Sequence, residues 1–141
     1  MKSIMIVDDS PTMRGLLKLT LVRLPGFVVV EAVNGRDALS KLRVGTPAVL
    51  VTDINMPEVD GLELITEVRK TKGKETLPIL VVSTRGQEAE VAKAMELGAN
   101  DYLPKPIDGS ELTRKLNRLL TPIKKPAMAP AGKMSAAELY V

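Results

Sequence analysis

The chain has 141 residues, enough for one domain and short for two, and its 45% apolar share supports a single core. That core must be aliphatic, because Phe27, Tyr102 and Tyr140 are the whole aromatic complement, and the absence of cysteine and histidine excludes disulfides, thiolate chemistry, imidazole metal sites, Ser-His-Asp hydrolysis and a histidine phosphoacceptor. The net charge is only +3, 20 basic against 17 acidic residues, with no basic stripe interleaved with aromatics, so direct nucleic-acid binding is not expected.

Read in order, short apolar runs alternate with amphipathic segments. Residues 3–8 are an apolar run that ends in acid. Ser10-Pro11 reads as an N-cap and first helical position. The helix carries Met13, Leu16, Leu17 and Leu24 at helical spacing, and Pro25-Gly26 stops it. Phe27 to Val30 is continuous and β-branched, which predicts a buried strand. Asn34-Gly35 turns the chain into a second helix with Ala38, Leu39 and Leu42, ended by Gly45 and Pro47. Ala48 to Thr52 reads as the third strand, residues 57–61 as a loop, and Leu62, Leu64, Ile65 and Val68 as the third helix. Leu77 to Val82 is the fourth strand, and Gln87 to Leu97 is the fourth helix, with Gly98 as its stop. Residues 100–103 give a short fifth strand. Asp108 and Glu111 carry the signature of a capping box for a last helix that buries Leu112, Leu116 and Leu119.

Strands that are apolar on both faces and alternate with helices imply an α/β fold, a parallel sheet covered on both sides. Right-handed crossovers leave few topologies, and in such sheets ligands bind at the carboxyl ends of the strands. Residues 1–120 are expected to form this domain. From residue 121 to 141 the chain turns rich in Pro, Ala and Lys, with a weak helical pattern from Gly132 onward, and reads as a linker or tail. No run approaches the roughly 18 apolar residues of a membrane span. The start, Met1-Lys2-Ser3, becomes acidic too soon for a signal peptide, so a cytoplasmic protein without a membrane partner is expected.

The strand ends carry the chemistry. The first closes in Asp8-Asp9, the third in Asp53 and then Ile54-Asn55-Met56-Pro57, the fourth in Ser83-Thr84, and the fifth is followed by Lys105-Pro106. Parallel strands bring these groups to one rim. Carboxylates so close repel one another and raise their own pKa values, and a hard divalent cation relieves this. Asp8, Asp9 and Asp53 with a nearby backbone carbonyl suit Mg2+, which takes oxygen ligands in an octahedron and keeps several waters. The cation and the Lys105 ammonium can neutralise charge on a phosphoryl group, the Ser83 hydroxyl can bond one of its oxygens, and one of the carboxylates can attack phosphorus. Each residue alone has a plainer explanation as a cap, a turn or a helix start; their conjunction on one rim favours a Mg2+-dependent phosphoryl site.

These segments resemble the CheY-like receiver domains of two-component signalling over roughly residues 1–120. The matching pieces are Ile4 to Ser10, Val51 to Pro57 with Asp60-Gly61, Val81 to Thr84, and Gly98 to Pro106, in order and at fitting spacings. The resemblance implies the flavodoxin-like (βα)5 sheet with strand order 2-1-3-4-5. It implies that Asp53 is the phosphoacceptor, charged from the phosphohistidine of a sensor histidine kinase or a histidine phosphotransfer protein. It implies Mg2+ held by Asp8, Asp9, Asp53 and the main-chain carbonyl of Asn55. Ser83, Lys105 and the backbone of Thr84 would bind the phosphoryl group, and the bond between Lys105 and Pro106 would be cis. Ser83 and Tyr102 would form the switch, biasing a surface made of the fourth helix, fifth strand and fifth helix toward a downstream output protein. Ser83 stands where the family often has Thr, so the methyl that helps couple to Tyr102 is missing. Thr84 stands where Ala or Gly is frequent; its bulk would narrow access to the phosphate and slow hydrolysis, and Asn55, facing the same rim, would affect the attacking water.

Such a chain acts as a phosphoacceptor switch whose only chemistry is self-catalysed phosphorylation and dephosphorylation. A stand-alone regulator is the preferred reading, against the receiver portion of a longer regulator with a DNA-binding or enzymatic output domain. An aspartate-nucleophile phosphatase of the haloacid-dehalogenase type is a remote alternative, because its second acid would fall at Asn55. Arg85, Glu88, Glu90, Lys93 and Arg114 are candidates for partner choice, and each also fits plain solvated surface.

Overall fold

Five consecutive buried residues, Val49–Asp53, cannot sit on a sheet with a wet face, so they demand cover on both sides. The computed structural model, which describes residues 2–121, supplies it. The elements are β1 (Lys2–Val7), α1 (Pro11–Leu21), β2 (Phe27–Ala32), α2 (Gly35–Leu42), β3 (Val49–Asp53), α3 (Gly61–Lys70), β4 (Ile79–Ser83), α4 (Glu88–Leu97), β5 (Asp101–Pro104) and α5 (Gly109–Leu120). All strand pairs are parallel, in the order β2-β1-β3-β4-β5, as the resemblance implies.

Alternation along each strand divides the core in two. Ile4, Ile6, Val49, Val51, Leu80 and Val82 face α1 and α5, where Leu17, Leu21, Leu112 and Leu116 meet them. Met5, Val7, Leu50, Ile79 and Val81 face the other way, toward Ala38, Leu42, Leu64, Ile65, Val68 and Ala94 of α2, α3 and α4. Both clusters are aliphatic, in keeping with the scarcity of aromatic residues.

Local chemistry starts most of the helices. Ser10, Asn34, Asp60 and Asp108 each accept a backbone N–H from the first turn of the helix that follows. Pro11 opens α1. At the end of α4, Gly98 has φ 122°, which a side chain would strain, and a Cβ there would also press on Arg69. Arg69 donates from Nη2 to the carbonyl of Gly98 at 2.7 Å and from Nη1 to that of Lys74 at 3.2 Å, tying α3 to the end of α4.

Some expectations need correction. Leu16 is exposed, and Leu21 takes the inward place; α1 ends at Leu21, so Leu24 packs from the turn beyond it. β2 is half-buried because it is an edge strand, and Val28 is exposed. The third to fifth strands begin and end about one or two residues later than their sequence pattern suggests. Leu119 lies only half-buried near the end of α5. The cap of α5 is one-sided: Asp108 accepts from Ser110 and Glu111, while the Glu111 carboxylate lies 3.6 Å from Arg114. Pro104 falls in an edge strand, where its missing N–H is tolerated. The tail proposed for residues 121–141 lies, beyond Thr121, outside the described residues.

Candidate functional site

Register fixes the rim. Val7 pairs with Thr52, Asp53 with Val82, and Ser83 with Pro104, so the residues at and just past these strand ends meet at one edge. One carboxylate oxygen from each of Asp8, Asp9 and Asp53 lies within 4.8 Å of the others. Asp8 and Asp53 are buried, and Asp9 is exposed. Lys105 reaches in from beyond β5, its Nζ 3.5 Å from Asp53 Oδ1 and 3.7 Å from Asp8 Oδ2. The Lys105 N–H donates to the Ser83 carbonyl at 2.6 Å, which locks the start of its loop to the end of β4. The Lys105–Pro106 bond is cis.

Each buried acid is oriented from its own backbone. Asp8 Oδ1 accepts the N–H of Ser10 at 2.8 Å, and Asp53 Oδ1 accepts the N–H of Ile54 at 2.8 Å. Burial raises the pKa of Asp53 above its ordinary value, and the neighbouring charge of Asp8 adds to this; Lys105 and the Ile54 N–H pull the other way. Asp8 Oδ2 is buried without a hydrogen-bond partner. A buried carboxylate oxygen without a hydrogen bond is costly even with an ammonium 3.7 Å away, and three acids facing one ammonium leave the corner negative. An oxygen-only donor set with an unpartnered oxygen inside it suits a hard divalent cation.

Two glycines set the loop that carries Asn55. At Gly61 a Cβ would collide with the carbonyl of Asp53, and at Gly35 with that of Val59. The Gly61 N–H donates to Ile54 at 2.7 Å and the Gly35 N–H to Val59 at 3.1 Å. Both ends of the loop are therefore pressed against backbone that only glycine admits. Asn55 itself is exposed on the rim side of β3.

Ser83 is buried at the end of β4, and the exposed Thr84 follows it. The Thr84 N–H, assigned in the sequence to a phosphoryl oxygen, here donates to Gln87 Oε1 at 2.6 Å, and the Thr84 hydroxyl donates to the same oxygen at 2.9 Å. Gln87 was not singled out in the sequence, although Thr-x-x-Gln is a capping-box spacing. Ser83, Thr84, Gln87, Val91, Tyr102 and Lys105 line a groove of about 660 Å3 between α4 and β5. Tyr102 points outward, 44% exposed, with Lys115 Nζ 5.0 Å from its ring centroid. Lys115 also donates to the Tyr102 carbonyl at 2.6 Å and to Asp101 Oδ1 at 3.1 Å.

Comparison with known proteins gives the family and the fold. The family model described as response regulator receiver domain matches residues 4–117. A chemotaxis protein CheY homolog of Campylobacter jejuni is 44% identical over 118 residues, covering 83% of this chain and 91% of that protein. The crystal structure of the chemotaxis response regulator CheY4 of Vibrio cholerae superposes with TM-score 0.78 at 32% identity, covering 85% of this chain and 99% of that one. The receiver domain of a sensor histidine kinase from Pseudomonas aeruginosa, solved with a magnesium ion coordinated in its active-site cleft, superposes with TM-score 0.77 at 25% identity, covering 84% of this chain and 97% of that one.

Proposed function

The chain belongs to the response regulator receiver family of two-component signalling, and from that premise we propose that Asp53 is its phosphoacceptor. The observation that carries this is the corner itself: Asp53, buried at a strand end, stands within 4.8 Å of two further carboxylates and 3.5 Å from one ammonium. Asp8, Asp9 and Asp53, with the main-chain carbonyl of Asn55, would hold Mg2+, the ion coordinated in the receiver of the Pseudomonas kinase. Bound there, the cation offsets the negative charge that develops on a transferring phosphoryl group.

The chain's own residues do the rest. An oxygen of Asp53 forms the new P–O bond while the P–N bond to the histidine of a kinase or phosphotransfer protein breaks. Lys105, already between Asp8 and Asp53, moves its charge onto the phosphoryl oxygens. Ser83 supplies a hydroxyl, and the Thr84 N–H becomes a donor once it leaves Gln87. The chain acts as a switch that accepts a phosphoryl group, and its phosphorylation and dephosphorylation are self-catalysed. Attraction of Ser83 to the phosphoryl group frees space beside it in the groove, into which Tyr102 turns from its outward position. The surface of α4, β5 and α5 then presents a different face to a downstream protein. The alignment along 91% of the Campylobacter CheY homolog supports a stand-alone, chemotaxis-type regulator.

The test is intact mass after incubation with a small acyl-phosphate donor, with and without Mg2+, on wild type and Asp53→Asn. A single Mg2+-dependent phosphoryl adduct on wild type alone is expected. An adduct that persists in Asp53→Asn would move the acceptor to another residue.

A further inference from the structure

We propose that Arg14 is a positioning residue for the cation corner: its guanidinium clamps the main-chain carbonyl of Asp8 and so sets the two acids on either side of that peptide. The inference rests on the reading of Asp8, Asp9 and Asp53 as a Mg2+ site.

Arg14 lies on α1, one turn past the Asp8-Asp9 step, and its side chain is only 13% exposed. Nη1 donates to the Asp8 carbonyl at 2.6 Å, and Nε donates to Glu31 Oε1 on β2 at 3.1 Å. Glu31 is held in turn by Lys18, whose Nζ is 3.0 Å from Oε2. Lys18 and Arg14 together keep the Glu31 carboxyl below its ordinary pKa, so Arg14 faces a charged anchor at neutral pH. On the strand side, the Asp8 N–H donates to Ala32 at 3.2 Å. The Asp8 peptide groups are thus fixed from both directions, one by the sheet and one by a guanidinium that is itself fixed.

This matters because the Asp8 carbonyl belongs to the peptide that joins the two acids. Rotation of that peptide moves the Asp9 backbone and tilts Asp8, whose Oδ2 makes no hydrogen bond and lies 3.7 Å from Lys105 Nζ. A planar fork with one arm on the carbonyl and another on Glu31 resists such rotation as an ammonium cannot. Groups that orient metal ligands without touching the metal typically control affinity by roughly 10–100-fold.

Charge and positioning predict opposite signs. If Arg14 acted only as a nearby positive charge, removing it would tighten Mg2+ binding. If it positions Asp8, removing it weakens binding although the repulsion is gone. The experiment is Mg2+ titration of the full chain, followed by calorimetry or amide shifts, for wild type, Arg14→Gln and Arg14→Lys. Melting in chelator verifies that each is folded. The expected result is roughly ten-fold weaker binding in Arg14→Gln. Arg14→Lys, with charge kept and the fork lost, also weakens it. Wild-type affinity in Arg14→Lys, or tighter binding in Arg14→Gln, overturns the proposal while leaving the Mg2+ site intact. Absence of Mg2+ binding in wild type overturns the site reading and this inference with it.

Discussion

At the scale of single residues, the site is held in a conformation that costs free energy while no cation is present. Asp53 is desolvated and faces Asp8, and both effects raise its pKa above the ordinary 3.8. A raised pKa in an acid means that the folded state binds its proton more tightly than the unfolded state. The penalty is therefore fully present above the folded pKa, and it vanishes as pH falls below 3.8, where Asp53 is protonated in both states. Asp53→Asn removes the charge and keeps the shape. In chelator at neutral pH it should raise the unfolding free energy by about 1 kcal/mol, measured by urea denaturation. The gain should shrink as pH is lowered, and also on adding Mg2+, which rewards only the wild type. Glu31 behaves in the opposite sense. Its lowered pKa contributes stability above 4.5 that is lost as pH falls through the folded value, and its partly open surroundings keep that contribution small.

At the scale of elements, the loop between β3 and α3 is positioned by contact rather than by propensity. Gly61 opens α3 directly under the Asp53 carbonyl, and a methyl there has no room. Gly61→Ala should destabilise the fold by about 1–3 kcal/mol, as overpacking does, and weaken Mg2+ binding by displacing Asp53. Gly15, exposed inside α1 with nothing near its missing Cβ, is the matched control. Gly15→Ala should stabilise by up to about 1 kcal/mol through helix propensity and leave Mg2+ binding unchanged. Parallel denaturation and Mg2+ titrations of both variants check the pair; equal effects would remove the close-approach argument. The same distinction separates the caps. Asp108 was readable from its place before an apolar-periodic segment, whereas Arg69, which staples α3 to the end of α4, carries no signal at a fixed spacing.

For the whole molecule, the two aliphatic clusters and every residue assigned to the site fall between Ile4 and Leu120. A chain ended after Thr121 should therefore melt in one cooperative transition and take up a phosphoryl group with the same Mg2+ dependence as the full chain. Calorimetry with intact-mass kinetics on both lengths tests this, and loss of the adduct on truncation would put part of the working domain in residues 122–141. Among the described residues no helix is long and apolar enough to cross a membrane. The sheet sets the proposed site beside the proposed output surface. β4 carries Ser83 at its end, β5 lies beside it with Tyr102, and the groove between α4 and β5 separates the two. Lys115 lies over the outward Tyr102 ring, and this is the contact that the proposed inward turn would give up; its hydrogen bond to the Tyr102 carbonyl is to the backbone and does not depend on the rotamer.

The sequence by itself determined the strand–helix alternation, the parallel sheet and the acidic rim. Continuous apolar runs and period-3.6 patterns are local, and in a parallel sheet the carboxyl ends of the strands all lie on the same side. That is why Asp8, Asp9, Asp53, Ser83 and Lys105, scattered over about 100 residues, could be gathered before any coordinates. Tertiary structure alone decided what depends on distance between elements. It left β2 half-buried, because an apolar run does not say which strand lies at an edge. It turned Leu16 outward and Leu17 and Leu21 inward, because α1 offers apolar residues at more than one facing and only packing against the sheet chooses among them. It engaged the Thr84 N–H with Gln87, and it joined Arg14 to Asp8 and Glu31 through side chains long enough to reach across elements. Long polar side chains choose partners by reach in three dimensions, and no spacing in the chain encodes that choice.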